Sequence, residues 1–143
     1  MMDEKDWIYR QSGVVPYRYE QDELKLLLIT SRHRKRWIFP KGIVDYGFSP
    51  QESAENEAYE EAGIEGKIDP FQIGQYQFLK WGGEVTVQVF LFEVTQEHEV
   101  WPESSFRRRK WVSVEEAGKL IDREGLKKIL HDLPFLLKNR DKP

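Results

Sequence analysis

The stretch KGIVDYGFSPQESAENEAYEEAGI, Lys41 to Ile64, limits the possible folds of this chain more than any other segment. It reads as a tight loop feeding a short acidic helix. Ser49 is a good N-cap, Pro50 suits the first helical position, and Glu52 stands three residues after the serine, which is the spacing of a capping box. Gly63 supplies the stop. The helix between them is roughly 20 Å long at ~1.5 Å per residue. Ala54, Ala58 and Ala62 recur at i, i+4 and i+8, a smooth strip that lets the helix lie close against a sheet.

The other side of this helix is costly. Glu57, Glu60 and Glu61 crowd one face, and like charges at that spacing cost roughly 0.2–0.5 kcal/mol per pair. Glu60 and Glu61 also sit near the negative end of the helix dipole. No lysine falls between Lys41 and Lys67 to relieve them. A solvated acidic face is one reading. A hard divalent cation is the other, since Mg²⁺ takes oxygen ligands and keeps waters and substrate phosphates in its shell. The loop in front favours the cation. Lys41-Gly42 lets backbone carbonyls turn inward just before the helix, and glycine permits a close approach.

The segment resembles the Nudix box, G-x5-E-x7-R-E-U-x-E-E-x-G-U with U aliphatic. Aligned on Gly42, the chain matches at Glu57, Ala58 (a small residue for U), Glu60, Glu61, Gly63 and Ile64. It carries Phe48 in place of the first glutamate and Asn56 in place of the arginine. The resemblance implies that Glu57, Glu60 and Glu61, with a backbone carbonyl near Gly42, bind Mg²⁺ or Mn²⁺. It also implies an α/β fold, the Nudix α/β/α sandwich with a mixed central sheet, in a single domain over residues 1–143 with its box at 42–64. In the family the missing glutamate and arginine pair with each other and support the metal ligands. Losing both leaves no orphan charge, whereas a lone buried charge costs several kcal/mol. The double change bears on catalytic rate and on the orientation of the glutamates more than on the existence of a metal site.

The rest of the composition excludes several classes. The chain has 143 residues, 39% hydrophobic, with five tryptophans, which suits one domain with one core. A net charge of −3 argues against a surface that coats nucleic acid. With no cysteine there is neither a disulfide nor thiol chemistry, in keeping with a cytoplasmic location. MMDEKDWIYR is too polar for a signal peptide. The longest apolar run, Leu26 to Ile29, is far too short to cross a membrane.

In chain order, Tyr9 to Tyr19 reads as a strand, and Leu24 to Thr30 as a strand buried on both faces. A polar turn at Glu20 to Glu23 joins them. Trp37 to Phe39 is a short strand that Pro40 ends. Lys67 to Lys80 is a strand with a kink at Gly74, and Gly82-Gly83 is its hairpin turn. Val85 to Val94 alternates, with Val85, Val87, Val89 and Leu91 on one face. After a loop from Gln96 to Phe106, Arg107 to Val112 is a strand. Ser113 and Glu116 cap a second helix, and Leu126, Ile129, Leu130, Leu133 and Leu137 mark a third that passes Pro134.

Two basic clusters bracket the acidic segment. Arg32, Arg34, Lys35 and Arg36 put four positive charges within five residues, beside His33; Arg107, Arg108, Arg109 and Lys110 form the second cluster. Taken alone, such a run is usually a solvated turn. On both sides of a carboxylate site they suit a polyphosphate, which needs Arg and Lys around its oxygens and a metal to neutralise the bridge. LLLITSRHRKRWIFPKG and WPESSFRRRKW resemble segments of diphosphoinositol polyphosphate phosphohydrolases, relatives of which act on diadenosine polyphosphates. Carried over, the phosphate-binding candidates are Ser31, Arg32, Lys41 and Arg109, then Arg10 and Lys80. YRQSGVVPYR and WIFPKG also resemble RNA 5′-pyrophosphohydrolases and asymmetric diadenosine tetraphosphate hydrolases.

The resulting expectation is hydrolysis of a phosphoanhydride in a nucleoside- or inositol-linked small-molecule polyphosphate. Glu57 or Glu61 is the catalytic base, with Glu103 and Glu84 as loop alternatives, and the protein is a monomer or homodimer. RNA 5′-end trimming and nucleoside triphosphate pyrophosphohydrolysis are rival activities, and a non-catalytic nucleotide-binding module is the rival class. Nucleic acid is a partner only as a 5′-end substrate. With three scattered histidines and no cysteine, a zinc site is not expected.

Overall fold

The computed structural model describes residues 9–33 and 35–140. Arg34 of the first basic cluster and residues 1–8, read above as too polar for a leader, lie outside the described residues. Strands β1 (Arg10–Glu20), β2 (Glu23–Thr30), β3 (Trp37–Ile38) and β4 (Lys41–Ile43) precede helix α1 (Pro50–Ala62). Strands β5 (Ile64–Lys80), β6 (Gly83–Glu97) and β7 (Arg109–Ser113) follow, then α2 (Val114–Leu120) and α3 (Glu124–Arg140).

Among the described residues the seven strands form one mixed sheet, with the order β3-β2-β1-β6-β5; β4 is added to β1 and β7 to β2. The β1–β6 pair is parallel and the others are antiparallel. Strand periodicity of two explains how the core divides. Val14, Leu27, Ile29, Phe90 and Phe92 face α1 and pack on Ala54, Ala58 and Ala62, all three fully buried. Val15, Leu26, Leu28, Val85, Val87, Val89 and Leu91 face the other way, against Leu126, Ile129, Leu130, Leu133 and Leu137 of α3. The unbroken apolar run of β2 is therefore buried on both faces, and the architecture is the expected α/β/α sandwich.

The helix starts and stops where its residues direct. Ser49 accepts from the Glu52 amide while the Glu52 side chain accepts from the Ser49 amide, and Gly63 takes the left-handed conformation at φ 68°. Several strand limits differ from the sequence reading. Lys41–Ile43 is a strand rather than a loop, because it pairs with Gln11, Ser12 and Gly13 of β1. The β5–β6 turn falls one residue early, at Trp81 and Gly82 with φ 53° and 75°, and Gly83 already belongs to β6. β5 begins directly after Gly63 and is irregular from Glu65 to Gly74, which includes the expected kink. Ser113 caps α2 through the Glu116 amide, but the Glu116 carboxylate turns to Lys110 at 3.0 Å. α3 runs through Pro134 as one element. Among the described residues no helix is long and apolar enough to cross a membrane.

Candidate active site

Helix α1 lies over β1 and β4 with its acidic side toward the β4 backbone. The contact is so close that a Cβ on Gly42 would stand 2.4 Å from the Glu57 carboxyl. Any larger residue there would push the Glu57 side chain aside. Lys41 N–H donates to Glu61 Oε1 at 3.1 Å. The Glu61 side chain is thus held by the strand at one oxygen, and its other oxygen lies 3.5 Å from Arg107 Nη2.

Burial and crowding govern the titration of this pair. Burial, then the Glu61 charge and a hydrogen bond to it, then Glu60 and Glu103, push Glu57 up to about 9. Burial also raises Glu61, against the pull of Arg107, the Glu57 hydrogen bond and the Lys41 amide. Two carboxylates this close, Glu61 buried and Glu57 half-buried, share a proton unless a cation takes its place. Glu57, whose charged neighbours are carboxylates, is the one that carries it. Ser12, opposite Gly42 in the sheet, projects to the same face as Glu57. It is fully buried, and its Oγ has no hydrogen-bond partner.

These features fit a hard divalent cation: oxygen donors only, a glycine that keeps a backbone strand against the acid, and a spare buried hydroxyl. Among the described residues no group of three or more Asp, Glu or His side chains is placed to hold a metal ion by itself. An open set of that kind leaves positions for water and phosphate oxygens, as Mg²⁺ requires.

Glu61 also reaches the wall of a cleft of about 500 Å³. The cations on that wall are Arg32, Arg36, Lys41, Lys80, Arg107 and Arg123, with Ser31 and His33 beside them. Trp37, Phe39, Tyr76 and Phe78 give it an apolar side. Lys41 Nζ donates to Gln11 Oε1 at 2.8 Å and lies 4.8 Å from the Phe78 ring, which Arg123 flanks at 4.1 Å. Burial brings the Lys41 ammonium down to about 8, the pull of Glu61 opposing and the charges of Lys80 and Arg123 adding to the fall. A group of cations that repel one another around an open cleft is a place for an anion.

The NUDIX domain family model matches residues 9–133. The chain belongs to the Nudix family. It is 36% identical over 129 residues to Nudix hydrolase 21, chloroplastic, of Arabidopsis thaliana, covering 85% of this chain and 65% of that relative's length. It is 31% identical over 114 residues to mouse diphosphoinositol polyphosphate phosphohydrolase 3-alpha, covering 78% of this chain and 68% of the relative. A C. elegans Ap4A hydrolase in a binary complex has the same fold, with a TM-score of 0.77 at 22% identity, over 92% of this chain and 99% of that one.

Within this Nudix domain the two departures from the box, Phe48 and Asn56, are both exposed. Neither leaves a buried charge without a partner. Glu57 and Glu61 come together as expected; Glu60 is exposed, and its carbonyl accepts from the Glu103 amide at 3.1 Å. Ser31, Arg32, Lys41 and Lys80 converge on the cleft. Arg10 and Arg109 are not among its lining residues. Arg10, at the start of β1, accepts at its carbonyl from the Val44 amide. Arg109 donates to the Ala62 carbonyl at 2.8 Å and to the His98 carbonyl, and stacks 4.0 Å from the Trp101 ring. Its guanidinium closes the end of α1. Glu103 pairs with Arg107 at 2.7 Å next to the acids, while Glu84 is exposed and outside the cleft lining.

Sequence reasoning placed Arg36 in the first basic cluster but not among the phosphate-binding candidates, and it passed over Arg123 as a cleft cation and Gln11 as the partner of Lys41. It also ranked Arg109 above Arg107. Strand alternation separates Arg107 and Arg109 from the exposed Arg108 and Lys110, but parity cannot choose between the first two.

Proposed function

We infer that this Nudix domain hydrolyses a phosphoanhydride bond in a nucleoside- or inositol-linked polyphosphate, using Mg²⁺ or Mn²⁺. The observation that carries the reading is the opening of the Glu57–Glu61 pair, through buried Glu61, into a cleft walled by six cations. The names of the mouse and C. elegans relatives support the substrate class. Glu57, Glu60 and Glu61, with backbone at Gly42, are the residues to hold the cation. When bound, the ion offsets phosphate charge and acidifies a water.

The chain's own groups divide the remaining work. Both oxygens of Glu61 are engaged, by the Lys41 amide and by Arg107, so Glu61 is a fixed ligand. Glu57 has the looser surroundings; once a bound cation displaces the proton that it otherwise holds up to about 9, its carboxylate is able to receive the proton of the attacking water. Arg32, Lys41 and Lys80, joined by Arg36 and Arg123, bind the phosphate oxygens and steady the charge that develops on them. The aromatic wall of Trp37, Tyr76 and Phe78 shields the far end of the substrate from water. The protein works as a single domain over residues 1–143, in the cytoplasm, as a monomer or homodimer.

A panel of dinucleoside polyphosphates, diphosphoinositol polyphosphates, nucleoside triphosphates and 5′-triphosphate RNA, assayed with and without Mg²⁺, tests this. Glu61→Gln is expected to remove at least ~100-fold of the metal-dependent turnover with the fold intact. Equal turnover of that variant and the parent would sink the site assignment. Exposed Phe48 and Asn56 favour a second reading, a module that binds nucleotides without cleaving them. Substrate binding with no cleavage of any panel member would establish it.

A further inference from the structure

Arg107 is the buried cation around which the acidic site is arranged. It is 8% exposed, and its guanidinium reaches three groups from different parts of the chain. Nε donates to Glu103 Oε1 at 2.7 Å, Nη1 donates to the Thr30 carbonyl at 2.8 Å, and Nη2 lies 3.5 Å from Glu61 Oε2. Such a spread of donors in one plane suits a guanidinium and not an ammonium. Helix α1 offers no substitute, since it has no basic residue in its last turn and Asn56 is exposed. The counter-charge for its acids therefore comes from the opposite wall.

We propose that Arg107 is a positioning residue which fixes Glu61 of the helix and Glu103 of the loop relative to each other, so that the acidic site keeps the shape its cation needs. This rests on the reading of the site given above. Two arms, to Thr30 and Glu103, would be enough to fasten the loop to the end of β2. The third, to Glu61, ties that fastening to the chemistry. Substrate does not compete for Arg107, because each face of its fork already has a partner. The effect of losing it falls on cation affinity and turnover and leaves substrate binding alone.

The experiment compares Arg107→Gln, Arg107→Lys and, as a surface control, Arg108→Gln in the full chain. It reads Mn²⁺ affinity by direct titration, kcat and KM at saturating Mn²⁺ on the best panel substrate, and melting temperature. Arg107→Gln is expected to lose about 10–100-fold in Mn²⁺ affinity and kcat with KM unchanged. Arg107→Lys, which keeps the charge without the fork, loses less than Arg107→Gln but more than Arg108→Gln, which matches the parent. If Arg107→Gln does not fold, Arg107→Lys alone carries the test. Parental Mn²⁺ affinity and kcat in a folded Arg107 variant overturn the proposal, as does a rise in KM with both preserved. A parent that neither binds Mn²⁺ nor cleaves any substrate overturns the functional reading instead, so the two failures are distinguishable.

Discussion

Glu57 and Glu61 stand one helical turn apart on the same face, and what surrounds them gives them different duties. Glu61 is pinned by a strand amide and a guanidinium, whereas Glu57 meets mostly other acids and the bare backbone of Gly42. The Gly42 contact can be tested directly. Gly42→Ala would place a methyl group 2.4 Å from the Glu57 carboxyl, and the flexible side chain, not the sheet, is what yields. The expected outcome is a melting temperature close to the parent's with kcat lower by about 10–100-fold. Full activity in that variant would remove Glu57 from the site. At this scale the carboxylate spacing was readable from the chain alone, because helical period alone puts residues 57, 60 and 61 together. The partners of those acids were not readable, since Arg107 and the Lys41 amide reach Glu61 only through pairings between distant strands.

At the scale of elements, α1 is a helix whose sequence supplies its own start and stop but not the donors for its last carbonyls. Ser49, Pro50 and Glu52 cap the N-terminus locally. At the other end the carbonyls of Glu60, Glu61 and Ala62 accept from the Glu103 amide, Trp101 Nε1 and Arg109 Nη1, all from the segment before and within β7. This explains why the starts of α1 and α2 were legible while the roles of WPESSFRRRKW were not: cap chemistry is local, and the clasp spans some forty residues. Arg109→Ala is therefore expected to lower stability by about 1–3 kcal/mol, the worth of hydrogen bonds to a charged donor, with KM unchanged. Chemical denaturation beside steady-state kinetics checks it. A raised KM at parental stability would instead make Arg109 a substrate ligand. The misplaced limits of β4 and the β5–β6 turn have the same origin, because pairing with β1 and the twist demanded by a two-residue turn override local residue signals.

For the whole molecule, the raised Glu57 pKa links stability to pH and to the cation. Glu57 holds its proton up to about 9 when folded and only to the ordinary 4.5 when unfolded. The folded chain binds more protons in that window, so without divalent cation its stability falls as pH rises from about 5 to 8. Lys41 works in the opposite sense higher up: its ammonium is lowered from 10.5 to about 8, so the unfolded chain binds more protons there and the decline levels off. On the proposed function Mn²⁺ is expected to replace the Glu57 proton, to bind more tightly as pH rises, and at a hundred times its Kd to add ~2.7 kcal/mol. Melting curves in EDTA and in Mn²⁺ over this range test both signs. A flat EDTA profile would mean that Glu57 is already ionised.

The clasp on the end of α1 also means that the acidic segment is not portable. Excised as a peptide, or transplanted between two strands of another sheet, residues 41 to 64 would bring their acids without the indole and guanidinium groups that finish the helix. They would also lack the buried charge that steadies Glu61. Anyone wishing to move this centre to a new scaffold must carry the tryptophan-to-arginine stretch along with it.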